Sequence, residues 1–247
     1  RRHRIPVVED CAQSHGATID GRLVGTFGLV AAFSTMFGKH HCTGGQGGVV
    51  YTRDEPLYWA IRRASDRGKP FGLPPGSGND VAALNCNLND LSAVIGSAQL
   101  EKLPSIVRRR RTVAERILRG IRGLALVSAP AYTAGAKPSF WYLRLKFHAA
   151  PAACSKAEFC AALRAEGVAV RERYVNPAHM NTWFEKRRVF GTSGLPWSSP
   201  EYKGDHNRQF ACPNAMAALE SHMDLPILES WGAAEAAAIV KALRKVA

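Results

Sequence analysis

Short apolar runs that end in acids or glycines organise the first fifty residues. Ile5-Pro6-Val7-Val8-Glu9-Asp10 has the form of a buried parallel strand whose carboxyl end feeds a site, which places Asp10 at the strand tip. Residues 29–34 predict a second apolar strand and residues 47–52 a third, and two strands joined by one loop pair most simply as neighbours. Residues 56–67 predict a helix. The following stretch, 68–80, carries Pro70, Pro74, Pro75 and four glycines, so it is a loop and a candidate lid or subunit contact. Asn89 or Asp90 can cap a helix with Leu91, Val94, Ile95 and Ala98 at helical spacing, and Pro104 opens or kinks the next helix, as at a hinge between domains.

Beyond Gly123 the texture changes. Residues 124–127 and 141–147 predict strands, the latter by clear alternation, and residues 168–171 predict another. Ser155 and Glu158 form a capping-box signature for a helix that Gly167 stops, and Ala233–Val246 predicts a closing helix. These patterns divide the chain into an α/β part, residues 1–107, and an α+β domain, residues 108–247.

With 247 residues, 46% of them hydrophobic, the chain can bury a real core. No stretch approaches the roughly 20 apolar residues of a membrane span, and the start lacks the apolar run of a secretory signal, so the expected location is cytoplasmic. Six scattered cysteines without a CxxC pair read as reduced thiols, and His40, His41 and Cys42 lack metal-ligand spacing, so no metal is expected. The net charge of +13 is densest at residues 108–111, four consecutive arginines. They sit on a helical pattern with Val113, Ala114, Ile117, Leu118 and Ile121 as its apolar stripe, which reads as a solvated face, with an anionic ligand or subunit contact as the alternative. No nucleic-acid motif accompanies the charge.

The chemistry gathers around Lys39, which precedes the glycine-rich turn Thr43-Gly44-Gly45-Gln46-Gly47-Gly48 and follows Asp10 and Gln13 by a strand and a turn. A lysine amine can form an imine with a cofactor aldehyde, and an upstream aspartate can hold a pyridine nitrogen protonated, which together suggest pyridoxal phosphate. At about 4 Å and an effective dielectric near 20, such an aspartate and a pyridinium attract by roughly 4 kcal/mol. To shuttle protons the amine must be neutral, so its pKa must fall through desolvation and nearby positive charge.

The stretch Val8-Glu9-Asp10-Cys11-Ala12-Gln13-Ser14-His15-Gly16-Ala17, the Gly25-Thr26-Phe27-Gly28 turn, Phe33-Ser34 and the lysine-glycine loop resemble the DegT/StrS-like sugar aminotransferases. Residues 85–90, the GSAQLEKL stretch at 96–103, and Asp224-Leu225-Pro226-Ile227 extend the likeness over almost the whole chain. The resemblance implies a fold-type-I pyridoxal phosphate enzyme, a homodimer with sites between subunits, that moves an amino group from glutamate or another amino acid to a nucleotide-linked keto sugar. It implies Lys39 as the Schiff-base lysine and Asp10 as the partner of the pyridine nitrogen. Gln13 would contact the ring or its oxygen, Ser34 the phosphate, and Asn85 the phosphate of the neighbouring subunit's cofactor.

Two departures accompany the likeness. Relatives begin with a large-domain stretch that supplies a helix N-terminus for the phosphate, so the expected architecture is the C-terminal part of the large domain followed by the small domain. The lysine loop is also one residue longer than usual, and Gln46 stands where glutamate is more common. Counted forward from Phe33-Ser34 the lysine position is Lys39; counted back from Gly47-Gly48 it is His40. Related sugar 3-dehydratases carry a histidine there and use pyridoxamine phosphate. Three readings therefore stand: aminotransferase through Lys39, dehydratase with His40 as base, or a non-catalytic scaffold subunit.

Overall fold

The computed structural model describes residues 3–247. Its elements in chain order are β1 (Val8–Asp10), β2 (Thr18–Ile19), β3 (Arg22–Leu23), β4 (Val30–Ser34), β5 (Gly48–Thr52), α1 (Glu55–Ser65) and α2 (Asp90–Gly120). Then come β6 (Val127–Ser128), β7 (Ala136–Lys137), β8 (Tyr142–Phe147), α3 (Lys156–Ala165), a single 3-10 turn at Ala178–Met180, α4 (Thr182–Glu185), α5 (Pro213–Ser221), β9 (His222–Pro226) and α6 (Ala233–Val246). Two compact units interleave along the chain. The first comprises the chain up to Gly120 with Ala131–Leu143 and Ile227–Ala238, and the second comprises Ile121–Pro130, Arg144–Pro226 and Ile239–Ala247. A single division after residue 107 is linear, whereas compactness keeps the end of α2 and two later segments with the first unit.

In the first unit β4 pairs in parallel with β1, Asp10 opposite Ala32, and antiparallel with β5, Ser34 opposite Gly48. The parallel register sends the ends of β1 and β4 to the same edge of the sheet. The two strands flanking the lysine loop are neighbours, as the pattern predicts. Among the described residues β1 is an edge strand of this sheet rather than the buried strand its apolar run suggests, and Val8 is 70% exposed. An apolar run reports the capacity to be covered, and coverage depends on what lies alongside.

Helix α1 starts on Asp54, whose carboxylate accepts Leu57 N–H at 2.8 Å, with Pro56 in the first turn where its missing N–H costs nothing. Helix α2 corrects the expected hinge, because it runs through Pro104 without a break. Proline in a helix interior costs about 3 kcal/mol. Burial of Val107, Val113 and Ile117 offsets it, since each such side chain contributes about 1.5–3 kcal/mol. Gly16 makes room for this contact: its φ is +71°, and a Cβ there would lie 3.0 Å from Val107 Cγ2.

The second unit holds the sheet β6-β8-β9. β8 alternates as read, with Leu145 and Phe147 inward and Arg144 and Lys146 outward. Ser155 and Glu158 complete the expected capping box, and Phe159 of α3 packs on Phe147 with ring centroids 5.2 Å apart. Residues 168–171 correct another expectation, forming only one bridge, Arg171 to Asp224, with Val168 and Val170 buried as an irregular segment. No helix among the described residues is long and apolar enough to cross a membrane. All six cysteines are free.

Candidate active site

Asp10 ends β1 with its carboxylate exposed, one oxygen accepting Ala12 N–H at 3.0 Å. Lys39 follows β4 in a loop whose base is tied by Thr35 N–H to Gly47 O (2.8 Å), Thr43 N–H to Thr35 O (3.0 Å) and a Thr35–Thr43 hydroxyl pair (3.0 Å). Its ammonium lies 4.9 Å from the centroid of the Trp141 ring. Burial lowers the Lys39 pKa below the ordinary lysine value, while the Asp10 carboxylate acts on it in the opposite sense. Desolvation is the larger of the two, so the amine is easier to deprotonate than a surface lysine.

His40 is enclosed beside the same indole. Its ring is 2% exposed, Nε2 lies 3.0 Å from Ser139 O, and the ring centroid is 5.5 Å from Trp141 and 5.7 Å from His15. A carbonyl only accepts, so Nε2 carries the hydrogen. Burial, reinforced by the Arg110 charge, holds the His40 pKa down to about 3, and burial with the charges of His41 and Lys39 holds His15 to about 4. Both imidazoles are neutral at neutral pH. Next in line, His41 Nε2 reaches Gly96 O of α2 at 2.8 Å.

Arg110 corrects the solvated-face reading of the arginine run. It is 4% exposed, its guanidinium pairs with Glu229 at 2.6 Å, donates to Ile227 O at 2.5 Å, and lies 5.6 Å from the Trp141 centroid. Arg111 donates to Pro138 O, Gly16 O and Lys137 O, whereas Arg108 and Arg109 face solvent. A helix turns 100° per residue, so four consecutive arginines cannot share one face.

Glu9 binds the Gly25–Gly28 turn: its carboxylate accepts Gly25 N–H at 2.7 Å and Phe27 and Gly28 N–H at 2.6 Å each. The turn sits against the site's floor, since a Cβ on Gly25 (φ +96°) would meet Phe33 Cζ at 2.4 Å and Cys11 Sγ at 3.3 Å. Burial pushes the Glu9 pKa up, but the three backbone donors together outweigh it and leave the carboxyl below its ordinary value. A depressed carboxyl stabilises the fold above the unfolded value of about 4.3, and that contribution is lost as pH falls through the folded value. Glu9→Gln is thus expected to lower the urea midpoint near pH 6, with the gap to the native chain narrowing as pH falls below the unfolded value of about 4.3. Parallel urea titrations check this; a gap that ignores pH removes the carboxylate from the account.

Ser34, at the end of β4, accepts Met36 N–H at 3.4 Å, and Gln13 lies half-buried in the turn after β1. Asp10, Gln13, Ser34 and Lys39 therefore belong to one end of the β1/β4 pair. Asn85 stands on an exposed loop, bridged to Asp66, with its side-chain oxygen accepting Asn87 N–H at 3.2 Å. Sequence reasoning missed the neighbours His15, Trp141 and Arg110. His15 stood inside the quoted motif, but Trp141 read only as the start of a strand.

The sequence profile described as the DegT/DnrJ/EryC1/StrS aminotransferase family matches residues 1–244. The chain belongs to that family. Among DegT/DnrJ/EryC1/StrS relatives, the UDP-N-acetyl-3-dehydro-alpha-D-glucosamine 3-aminotransferase of Acidithiobacillus ferrooxidans is 28% identical over 245 residues, which is 99% of this chain and 58% of the relative. GDP-perosamine synthase of Escherichia coli O157:H7 is 36% identical over 121 residues, 49% of this chain and 32% of the relative. The solved aminotransferase from Psychrobacter cryohalolentis superposes with a TM-score of 0.79 at 25% identity, covering 99% of this chain and 62% of the other. The fold is thus that of the family's fold-type-I pyridoxal phosphate enzymes, and the chain spans under two thirds of the length of these relatives.

Proposed function

We propose that this protein is a pyridoxal phosphate dependent aminotransferase that moves an amino group from an amino acid, glutamate by the family resemblance, to a nucleotide-linked keto sugar. The observation that carries the reading is the half-buried Lys39 amine, made easier to deprotonate by its burial and acted on by the carboxylate at the tip of β1. The donor set fits the cofactor: a primary amine for its aldehyde, the Asp10 carboxylate for a protonated ring nitrogen, and the Ser34 hydroxyl for its phosphate. The nucleotide-sugar substrates named for the relatives support the acceptor class. Asn85 on its exposed loop suits the reading in which it reaches a second subunit's cofactor, which makes the working unit a homodimer. A biosynthetic role in polysaccharide or glycosylated-metabolite assembly places it in the cytoplasm.

Bound pyridoxal phosphate supplies an aldehyde and an electron-withdrawing ring that weakens a C–H bond beside the amino nitrogen. Asp10 would hold a proton on the ring nitrogen through its negative charge. Lys39, whose burial makes its amine easier to deprotonate than that of a surface lysine, would take and return a proton at Nζ. Gln13, in the turn after β1, would orient the ring, and Ser34 Oγ would donate to the phosphate. His40 is enclosed, with its Nε2 hydrogen directed at Ser139 O, which argues against its use as the base of a 3-dehydratase.

Borohydride reduction of the intact protein loaded with pyridoxal phosphate, followed by peptide mass spectrometry, is expected to find the pyridoxyl mass on Lys39. Turnover of a nucleotide-linked keto sugar with a pyridoxamine-phosphate-loaded protein, and no label on Lys39, would instead favour the dehydratase. Neither label nor bound cofactor would favour a scaffold role.

A further inference from the structure

Three consecutive side chains of the lysine loop leave it in three directions: Lys39 toward the Trp141 ring, His40 into the interior, and His41 to Gly96 O. Of the three, His40 has the most enclosed place. It joins the loop to the 139–141 segment by a hydrogen bond spanning 99 residues of sequence, and it lies against the same indole that Lys39 approaches. The indole is itself held from another side by the Arg110 guanidinium, which Glu229 and Ile227 O fix in turn.

We propose that His40 is a positioning residue for Lys39: its imidazole, bonded to Ser139 O and wedged against Trp141, latches the loop so that the amine is held at the indole. The physical basis is local. A lysine side chain has four rotatable bonds, so its direction depends on how firmly its own backbone is fixed. Lys39 N–H donates to Met36 O at 2.9 Å, and a residue anchored immediately after it restricts the backbone on the other side. The charge state suits the task. Burial first, and then the Arg110 charge, with His15 and Lys39 as the other titratable groups facing the ring, disfavour a protonated imidazole and keep a neutral donor. Its Nδ1 has no hydrogen-bond partner, which enclosure in an otherwise aromatic wall explains.

This inference rests on the reading of Lys39 as the reactive amine, and its test separates the two. In the cofactor-free protein, reductive methylation with carbon-13 formaldehyde gives each lysine an NMR signal, and Lys39→Arg assigns the one from Lys39. The latch predicts that His40→Ala moves that signal to the position of a flexible surface lysine and raises its titration midpoint toward the ordinary value of about 10.4. His40→Asn, which keeps a donor for Ser139 O, is expected to retain most of the native shift. If His40→Ala does not fold, His40→Phe fills the ring's space without the donor and carries the same expectation. A folded variant that loses thermal stability but leaves the Lys39 signal and midpoint unchanged overturns the latch, because a purely structural histidine does that. If borohydride labels Lys39 in the native protein while the His40 variants leave its signal unmoved, the latch fails and the aminotransferase reading stands. If the signal moves but native Lys39 takes no label, the latch holds and the functional reading fails.

Discussion

Lys39→Ala lowers the rate of amino-group transfer by the intact protein by about 10²–10⁴-fold, the range that a positioned acid–base group contributes. Folding is expected to change little, because the loop is pinned by the Thr35 and Thr43 bonds and by His40, none of which uses the lysine side chain. Lys39→Arg is no better than alanine, since a guanidinium does not give up its proton in a protein. A small primary amine added to Lys39→Ala restores part of the rate if proton transfer is what was lost. The pH profile adds a signed check. The neutral amine is the active form, so the native rate rises with pH through a midpoint below that of an ordinary lysine. Asp10 acts to raise that pKa, so Asp10→Asn shifts the rise to still lower pH while the overall rate falls for want of a ring-nitrogen partner. Turnover assays across pH measure both; a Lys39→Ala rate within a factor of about ten of native would remove Lys39 from the chemistry.

Arg110→Ala destabilises the protein by about 3 kcal/mol, at the lower end of the cost of breaking a buried ion pair, because Glu229 is itself partly exposed. The deleted guanidinium leaves Ile227 O without its donor, opens space beside Trp141 and releases the Glu229 carboxylate. Arg110→Lys recovers only part of the loss. An ammonium is a point charge and cannot span a carboxylate and a carbonyl as the planar fork does. Urea denaturation with an unchanged slope and a lowered midpoint is the expected record. A loss under about 1 kcal/mol would mean that Arg110 is as dispensable as an exposed surface charge.

Local signals in this chain were legible wherever a short segment contains its own reason for folding. The capping box at Ser155 and Glu158, the alternation of β8 and the bounds of α6 all came from neighbours in sequence, and the structure has each of them. The misreadings share one cause. Pro104 reads as a break by local rules, yet the helix continues because Val107 and Ile117 are buried further along. Residues 168–171 have strand composition, but the backbone pairs with Asp224 only at Arg171. The run at β1 is apolar enough for an interior and nevertheless lies at a sheet edge. The short β2, β3 and β7 strands carried no periodicity to read, because two residues are a single period and a readable alternation runs over about four to eight.

The same boundary runs through the candidate site. By itself the amino-acid sequence determined the α/β opening, the capped helices, the acid at a strand end and the lysine beside glycines, since each follows from residue type and spacing over a few positions. Only the tertiary structure decided that Lys39 faces Trp141 while His40 is enclosed, and that Arg110 of four consecutive arginines is the buried one. The reason is distance along the chain: the groups that make these choices, Ser139, Ile227 and Glu229, lie 99, 117 and 119 residues away from the side chains they hold. Two adjacent residues with similar local preferences are told apart by which of them finds a partner after the chain has folded back.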